Sequence, residues 1–307
     1  MKIIAIVVTY NGMKWYKNCF DSLKYSSVPI ETIVIDNKST DGTIEYIKDN
    51  YPEIVLIEST ENLGFGKANN IGLKYALEQN ADYVFLINQD AWVYADTIQK
   101  LVSKMQEFPE YGILSPIHLT GSERKLDYNF SMQIQPPFCP NLVSDFIVNG
   151  KAEDKIYPIK FVNAALWLMS KRCINTIGGF DPIFPHYGED NNYIDRLEYH
   201  GLERGIYPQT YGVHDRELRN NVLTTKQKKN FELISYLIIL TRLQSSYKRL
   251  FFKSLLLISI DLYKNLLRLS FKNFVINTNS LFSMIQLTPH ILKNRKIAKI
   301  KGTCFLR

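Results

Sequence analysis

The 307-residue sequence predicts an α/β fold: a mostly parallel sheet flanked by helices and followed by a C-terminal helical extension. Three observations carry this. Short apolar runs alternate with helix-compatible stretches through the first 115 residues, which is the pattern of βαβ units. The runs are apolar throughout, as in strands covered on both faces. Beyond residue 226 the composition shifts to Leu, Ile and Phe interrupted by Lys and Arg, so a helical segment of a different kind begins there.

In chain order, KIIAIVV (2–8) is the first strand and 13–25 the first helix. ETIVID (31–36), EIVLIE (53–58) and DYVFLIN (82–88) are further strands, with helices predicted over 41–49, 67–79 and 95–106. Residues 116–160 lack a clear period and contain QPPFCPN, so they are expected to be loops. FVNAALWLMS (161–170) resembles a buried strand and KRCINTI a short helix. GGFDPIFPHYG is a turn-rich connector into a helix over 189–201, which Gly201 stops. GIYPQT and YGVHD are expected as two short strands. The result is a body over 1–225, divided near residue 115, and an extension over 226–307.

An apolar content of 46% allows a sizeable core. Four scattered cysteines (Cys19, Cys139, Cys173, Cys304) without a C-x-x-C pair fit a reducing compartment and argue against a disulfide framework or zinc–cysteine site. The first apolar run is too soon interrupted for a signal peptide. A cytoplasmic location is therefore expected. The net charge of +7 is uneven: residues 231–307 hold 13 Lys/Arg against 2 acids, and residues 1–230 hold 24 against 28. The basic end calls for an anionic partner. No stretch reaches the ~18–20 apolar residues of a spanning helix. The extension either lies in an anionic membrane interface, making the protein peripheral at the inner face, or packs as a bundle on the body or on a second subunit as a homodimer. Nucleic acid is not expected, because aromatics do not alternate with the charges as single-strand binding requires.

Ligands of parallel sheets bind at the carboxyl ends of the strands. The residues there are Thr9-Tyr10-Asn11, Asp36-Asn37, Asn62 to Asn70, and Asn88-Gln89-Asp90. Asp36 is either a turn acid or an acceptor for the imide N–H of a pyrimidine. Asp90 suits a divalent cation such as Mg²⁺ or Mn²⁺, which takes oxygen ligands and shares them with phosphates; the other reading is a helix cap. Glu189 and Asp190 open a helix behind a stiff turn. Acids in a first turn are favoured by the macrodipole at about 0.3–1 kcal/mol, but a carboxylate aimed into a pocket also accepts the proton of an attacking hydroxyl. His214 is either structural or completes a metal site with Asp90. ENLGFGKANN lacks the third glycine of a dinucleotide fingerprint and the Gly-Lys-Ser/Thr of a Walker loop. It remains a glycine-containing turn whose N–H groups face a pyrophosphate or nucleoside.

Taken together and in order, VVTYNG, VIDNKSTDGT, NLGFGKANNIG, LINQDAWV and GGFDPIFPHYGEDNNYIDRLEYHG resemble the family 2 inverting glycosyltransferases, and rhamnosyltransferase-like bacterial members most closely. The resemblance covers roughly 1–215. It implies a GT-A fold, with 1–115 as the nucleotide-binding half and 116–225 as the acceptor-binding half. It also implies a nucleotide-diphosphate-sugar donor, dTDP-rhamnose or a UDP-hexose, a glycan or lipid-linked glycan acceptor, and a divalent metal. Residue by residue, it assigns Thr9, Asn11, Asp36, Gly66, Asn69, Asn88 and Asp90 to the nucleotide-sugar site, and Asp90 with His214 to the metal. Asp190 is the implied base, Glu189 its neighbour toward the acceptor, and Asn163 and Trp167 the residues shaping the acceptor pocket. Asn88 stands where the family's DxD-type motif usually has its first acid, and Asn192 where another acid often follows the base. Asn163-Ala164-Ala165 falls at the usual Gly-Ala pair. The same fold also serves sugar nucleotidyltransferases and non-enzymatic scaffolds, but the sequence lacks a glycine- and Arg/Lys-rich triphosphate loop and retains its acids.

Overall fold

The computed structural model describes residues 1–216 and 224–306. The end of the predicted body, residues 217–223, lies outside the described residues. Strands β1 (Ile3–Thr9), β2 (Glu31–Asp36), β3 (Val55–Glu58) and β4 (Tyr83–Asn88) pair in parallel in the order β3-β2-β1-β4. Helices α1 (Met13–Lys24), α2 (Thr43–Asn50) and α3 (Gly64–Glu78) connect them. Strand β1 explains why the runs are apolar throughout. Its alternate residues point to opposite faces, so Ile3, Ala5 and Val7 join one core with Tyr16 and Phe20 of α1, while Ile4 and Ile6 join the other with Ala68 and Leu73 of α3.

The second half adds β5 (Ala91–Val93), α4 (Thr97–Glu107), β6 (Tyr111–Leu119), α5 (Tyr128–Gln133), α6 (Leu142–Val148), β7 (Tyr157–Pro158), β8 (Leu166–Ser170), α7 (Lys171–Ile177), α8 (Glu189–Tyr199) and β9 (Glu203–His214). The sheet continues β4-β8-β6-β9-β5, with β7 on β9. It is parallel throughout its first half. In the second, only β6 and β9 run parallel, and β8, β5 and β7 pair antiparallel with their neighbours. This is an α/β sheet flanked by helices, of the GT-A type.

Three expectations are corrected. Residues 116–160 are not merely loops: they complete β6 and contain α5, α6 and β7. Pro116 lacks an N–H for the ladder, and β6 absorbs it as a register shift against β9 between Ser115 and Ile117. The strand expected over 161–170 begins only at Leu166. The two short strands expected near 206–214 are one twelve-residue strand, β9, running through Pro208.

The extension consists of α9 (Thr225–Thr241), α10 (Tyr247–Leu267) and α11 (Phe271–Ala298). A capping box between Thr224 and Gln227 starts α9, and Ser246 caps α10. The three helices close around Tyr236, Leu237, Leu240, Leu250, Ile258, Met284 and Ile291, and Phe184 of the body completes that cluster. Arg295 is buried and donates to the carbonyls of Leu240, Arg242 and Ser245, which ties α11 to the α9–α10 link. The extension is thus a bundle packed on the body. Among the described residues no helix is long and apolar enough to cross a membrane.

Candidate active site

The strand register brings the predicted site residues to one sheet edge. Thr9 lies opposite Asp36, and Val8 opposite Asn88. Behind that edge the β2–α2 turn is closed by its own side chains. Asp36 Oδ1 accepts the hydroxyls of Thr9 (2.9 Å) and Ser39 (2.6 Å), and its Oδ2 accepts the Ser39 N–H at 2.8 Å. Thr9 and Asp36 are fully enclosed. Their side chains hold the turn closed. Asn11 is exposed, in the left-handed region at φ 49°, and its Oδ1 accepts the Thr40 N–H at 2.8 Å. Gln89 braces the same edge by accepting the Tyr10 N–H at 2.7 Å.

The glycine turn is placed differently from expectation. Asn37 accepts the Leu63 N–H at 3.2 Å and donates to the Gly64 carbonyl at 3.3 Å, fixing the start of α3. A Cβ on Gly64 would meet the Pro185 carbonyl oxygen at 2.2 Å, and one on Gly66 would meet Phe180 Cβ at 3.1 Å and Glu189 Cβ at 3.5 Å. These glycines let α3 close on the 178–189 segment. Asn69 is buried, and its amide donates back to Phe65 at 3.0 Å. Gly66 and Asn69 therefore take part in that packing.

The 178–188 turn is held from several directions. Arg196 of α8, fully buried, donates to the carbonyls of Ile177 (2.8 Å) and Gly179 (2.6 Å). Asn70 accepts the Phe180 N–H at 2.6 Å and donates to its carbonyl at 2.8 Å. Asn294 of α11 donates to Asp181 at 2.6 Å. Tyr187, at φ 68°, stacks on Phe231 of α9 with centroids 5.5 Å apart. Gly188 has φ 87°, and a Cβ there would lie 2.9 Å from Ile234 of α9 and 3.0 Å from Phe184. Only glycine fits.

This turn delivers the acid pair at the N-terminus of α8. Burial, and then the neighbouring Asp190, push Glu189 up to about 8. Its Oε2 is buried without a partner. Burial pushes Asp190 up to about 6, while N–H groups of Asn191, Asp190 and Ala164 and the charge of Arg216 pull it down. Both carboxyls therefore bind a proton more readily than free carboxylates do, Glu189 the more strongly. Arg216 is itself anchored to buried Asp127 at 3.0 Å.

The Asn163–Ala165 turn links the acids to the sheet edge. Ala164 faces Asp190, and the Ala165 carbonyl accepts the Asn88 N–H at 3.0 Å. Asn163 is almost fully buried. Its amide is engaged by Gln133 and the Ala165 N–H, each at 3.3 Å, so it shapes the turn from within. Trp167 is fully buried against Phe180 and Tyr193. Its predicted place in the acceptor pocket is corrected: it is core.

His214 Nε2 lies 3.4 Å from Asp90 Oδ1 and 3.4 Å from the Asn88 amide. Asn88 Oδ1 and His214 Nδ1 are buried without partners. Strand pairing sets this up, with His214 opposite Ala91 and the Asp215 N–H donating to the Asp90 carbonyl at 2.8 Å. Behind His214 stands His118, whose burial keeps it neutral. Among the described residues no three His, Cys, Asp or Glu side chains cluster as a full metal site. Asp90, His214 and the orphaned Asn88 amide oxygen are donors of the kind a divalent metal takes.

A fold of this kind with acids at the strand ends is compatible with a transferase of activated sugars, and the family comparison establishes that class. The model of "Glycosyl transferase family 2" matches residues 4–163, more than half of the chain. The chain belongs to that family and is a glycosyltransferase using a nucleotide-sugar donor. It is 24% identical over 231 residues to the N-acetylglucosaminyl-diphospho-decaprenol L-rhamnosyltransferase of Mycobacterium tuberculosis, covering 69% of this chain and 75% of the relative. Among solved structures it resembles the mannosyltransferase PcManGT from Pyrobaculum calidifontis, in complex with GDP-Man and Mn²⁺, with a TM-score of 0.58 at 16% identity over 93% of this chain and 75% of that one. It also resembles S. aureus TarS, with a TM-score of 0.56 at 18% identity over 82% of this chain, but spans only 42% of TarS.

Arg196 and Arg216 escaped the sequence reading, while Asn37, Asn70 and Gln89 were named at the strand ends without a role. Asn70 and Asn37 sit inside motifs already singled out. Nothing in one sequence marks Arg196, whose carbonyl partners lie on a distant turn.

Proposed function

We propose that the protein is an inverting glycosyltransferase moving a sugar, rhamnose from dTDP-rhamnose or a hexose from a UDP-sugar, onto a lipid-linked glycan acceptor. One observation carries the reading: Asp190 opens α8 at the end of the stiff turn and connects through Ala164 and Ala165 to Asn88, beside Asp90 and His214.

Asp190 takes the proton of the acceptor hydroxyl. The freed oxygen bonds to the anomeric carbon as the bond from that carbon to the diphosphate oxygen breaks, and the electron pair leaves with the nucleotide diphosphate. Attack and departure on opposite faces invert the anomeric centre. Asp90 and His214 would hold the divalent metal, which when bound stabilises the charge of the leaving diphosphate. Asn88 orients against that pair, and Asn11 is the nucleotide-site residue that remains exposed. Protonated Glu189 donates a hydrogen bond toward the acceptor. Thr9, Asp36, Gly66, Asn69 and Asn163 act by holding these groups in place.

The rhamnosyltransferase relative, named for N-acetylglucosaminyl-diphospho-decaprenol, supports a lipid-linked acceptor. Such an acceptor and a nucleotide-sugar donor meet at the inner face of a membrane, so we assign the protein a peripheral cytoplasmic location there. The test is a panel of dTDP-, UDP- and GDP-sugars, with Mn²⁺, Mg²⁺ or EDTA, read by thermal shift and by transfer to a lipid-diphosphate sugar. One nucleotide class should stabilise the protein and support metal-dependent transfer. Synthesis of a nucleotide sugar from a sugar phosphate, or no binding of any donor, would contradict the reading.

A further inference from the structure

Helix α10 is apolar on two opposite sides. Leu250, Ser254 and Ile258 face the bundle and are buried. Offset from them, Phe252, Leu256, Ile260, Tyr263 and Leu267 form a second stripe that is exposed. A stripe at this helical spacing normally seeks an apolar partner. Helix α11 repeats the arrangement, with Ile276, Ser280, Met284 and Ile291 inside and Phe271, Val275, Phe282, Ile285 and Leu292 outside. The stripes meet at the hairpin tip, where Leu266, Leu267, Leu269 and Phe271 are 61%, 66%, 89% and 78% exposed. Lys264, Arg268 and Lys272 alternate with them in the run KNLLRLSFK. The opposite end of α11 is the end fixed to the body, through Asn294 to Asp181 and the Ala298 carbonyl to His200. The 28 residues of α11 hold the tip about 40 Å from that anchor.

We propose that the α10–α11 hairpin tip, with the outer stripe of α10, inserts into the interface of an anionic phospholipid bilayer. Charge selects this occupant over a second copy. Around the tip, residues 261–275 carry Lys264, Arg268 and Lys272 against one acid, Asp261. A two-fold contact through this face would bring two such cationic surfaces together, whereas anionic headgroups neutralise them. The cations sit beside the apolar residues, as in helices that lie in an interface. The inference rests on the exposed face alone, independently of the catalytic reading.

The test uses the full chain and sedimentation with phosphatidylcholine vesicles, with and without phosphatidylglycerol. The wild type should pellet with the anionic vesicles and stay in solution with the neutral ones, and high salt should weaken the binding. The triple variant Leu267→Ser, Leu269→Ser, Phe271→Ser changes only exposed side chains and should bind about a hundredfold more weakly, with unchanged circular dichroism and donor-induced thermal shift. Lys264→Gln, Arg268→Gln, Lys272→Gln should lose the preference for anionic over neutral vesicles. Failure of the wild type to pellet, or equal pelleting of the triple variant, would overturn the proposal. So would lipid-free dimerisation in sedimentation velocity that the triple variant abolishes, because the face would then belong to a second copy.

Discussion

Two turns border the candidate site, and they are built in opposite ways. The β2–α2 turn at the donor edge is held by its own neighbourhood, with Asp36, Ser39 and Thr9 bonding one another behind an exposed rim. The 178–188 turn that carries the acids is held by Asn70, Phe231, Ile234 and Asn294, all remote in sequence, together with Arg196 of the helix that follows it. The donor edge has to admit a ligand and needs only local order. The acid pair, Glu189 buried and Asp190 half-buried, has to stay aimed, and a self-contained loop would relax around its charge. The extension is thus a buttress for the acid turn as well as an appendage.

If this contrast is sound, damage to the acid turn should cost far more than damage to the donor-edge turn. Arg196→Met leaves two buried carbonyls without donors and should destabilise the protein by about 3–5 kcal/mol, read by urea unfolding. Gly188→Ala combines a left-handed φ with close contacts to Ile234 and Phe184. It should cost about 2–3 kcal/mol and most of the transfer activity. Asn70→Ala, which breaks two bonds to Phe180, should cost about 1–3 kcal/mol. Ser39→Ala on the donor edge should cost about 1 kcal/mol or less and chiefly raise the donor KM. Equal losses at Ser39 and Arg196 would erase the distinction.

The acid pair predicts two pH effects. Asp190 must be ionised to accept a proton, so kcat/KM should fall about tenfold per pH unit below about 6. Glu189 binds its proton more tightly folded than unfolded, because burial raises it from 4.5 to about 8. The folded state therefore holds more protons across that window, and this group's contribution to stability declines as pH rises through it. Glu189→Gln stays neutral, so above about pH 8 it should be more stable than the wild type in thermal or urea unfolding.

The same contrast explains what the sequence revealed. The βαβ units were legible because each strand is apolar on both faces and each connecting helix is local. The acid pair was legible because Gly, Pro and aromatics crowd in front of it. Strand β6 was not, because Pro116 interrupts the run and only pairing with β9 compensates. Trp167 and Asn163 were misjudged because a strand residue's exposure depends on what covers it, here Phe180 and Tyr193 for Trp167. Thr9 and Asp36 lie at the predicted edge, but their mutual bond turns them inward.

The central claim, that Asp190 is the base for transfer, is tested most directly by Asp190→Asn, with transfer and donor binding measured on the same preparation. The substitution keeps the shape and removes the proton acceptor. Transfer should fall by about a thousandfold or more, with the donor-induced thermal shift unchanged. Transfer at near wild-type rate would contradict the account.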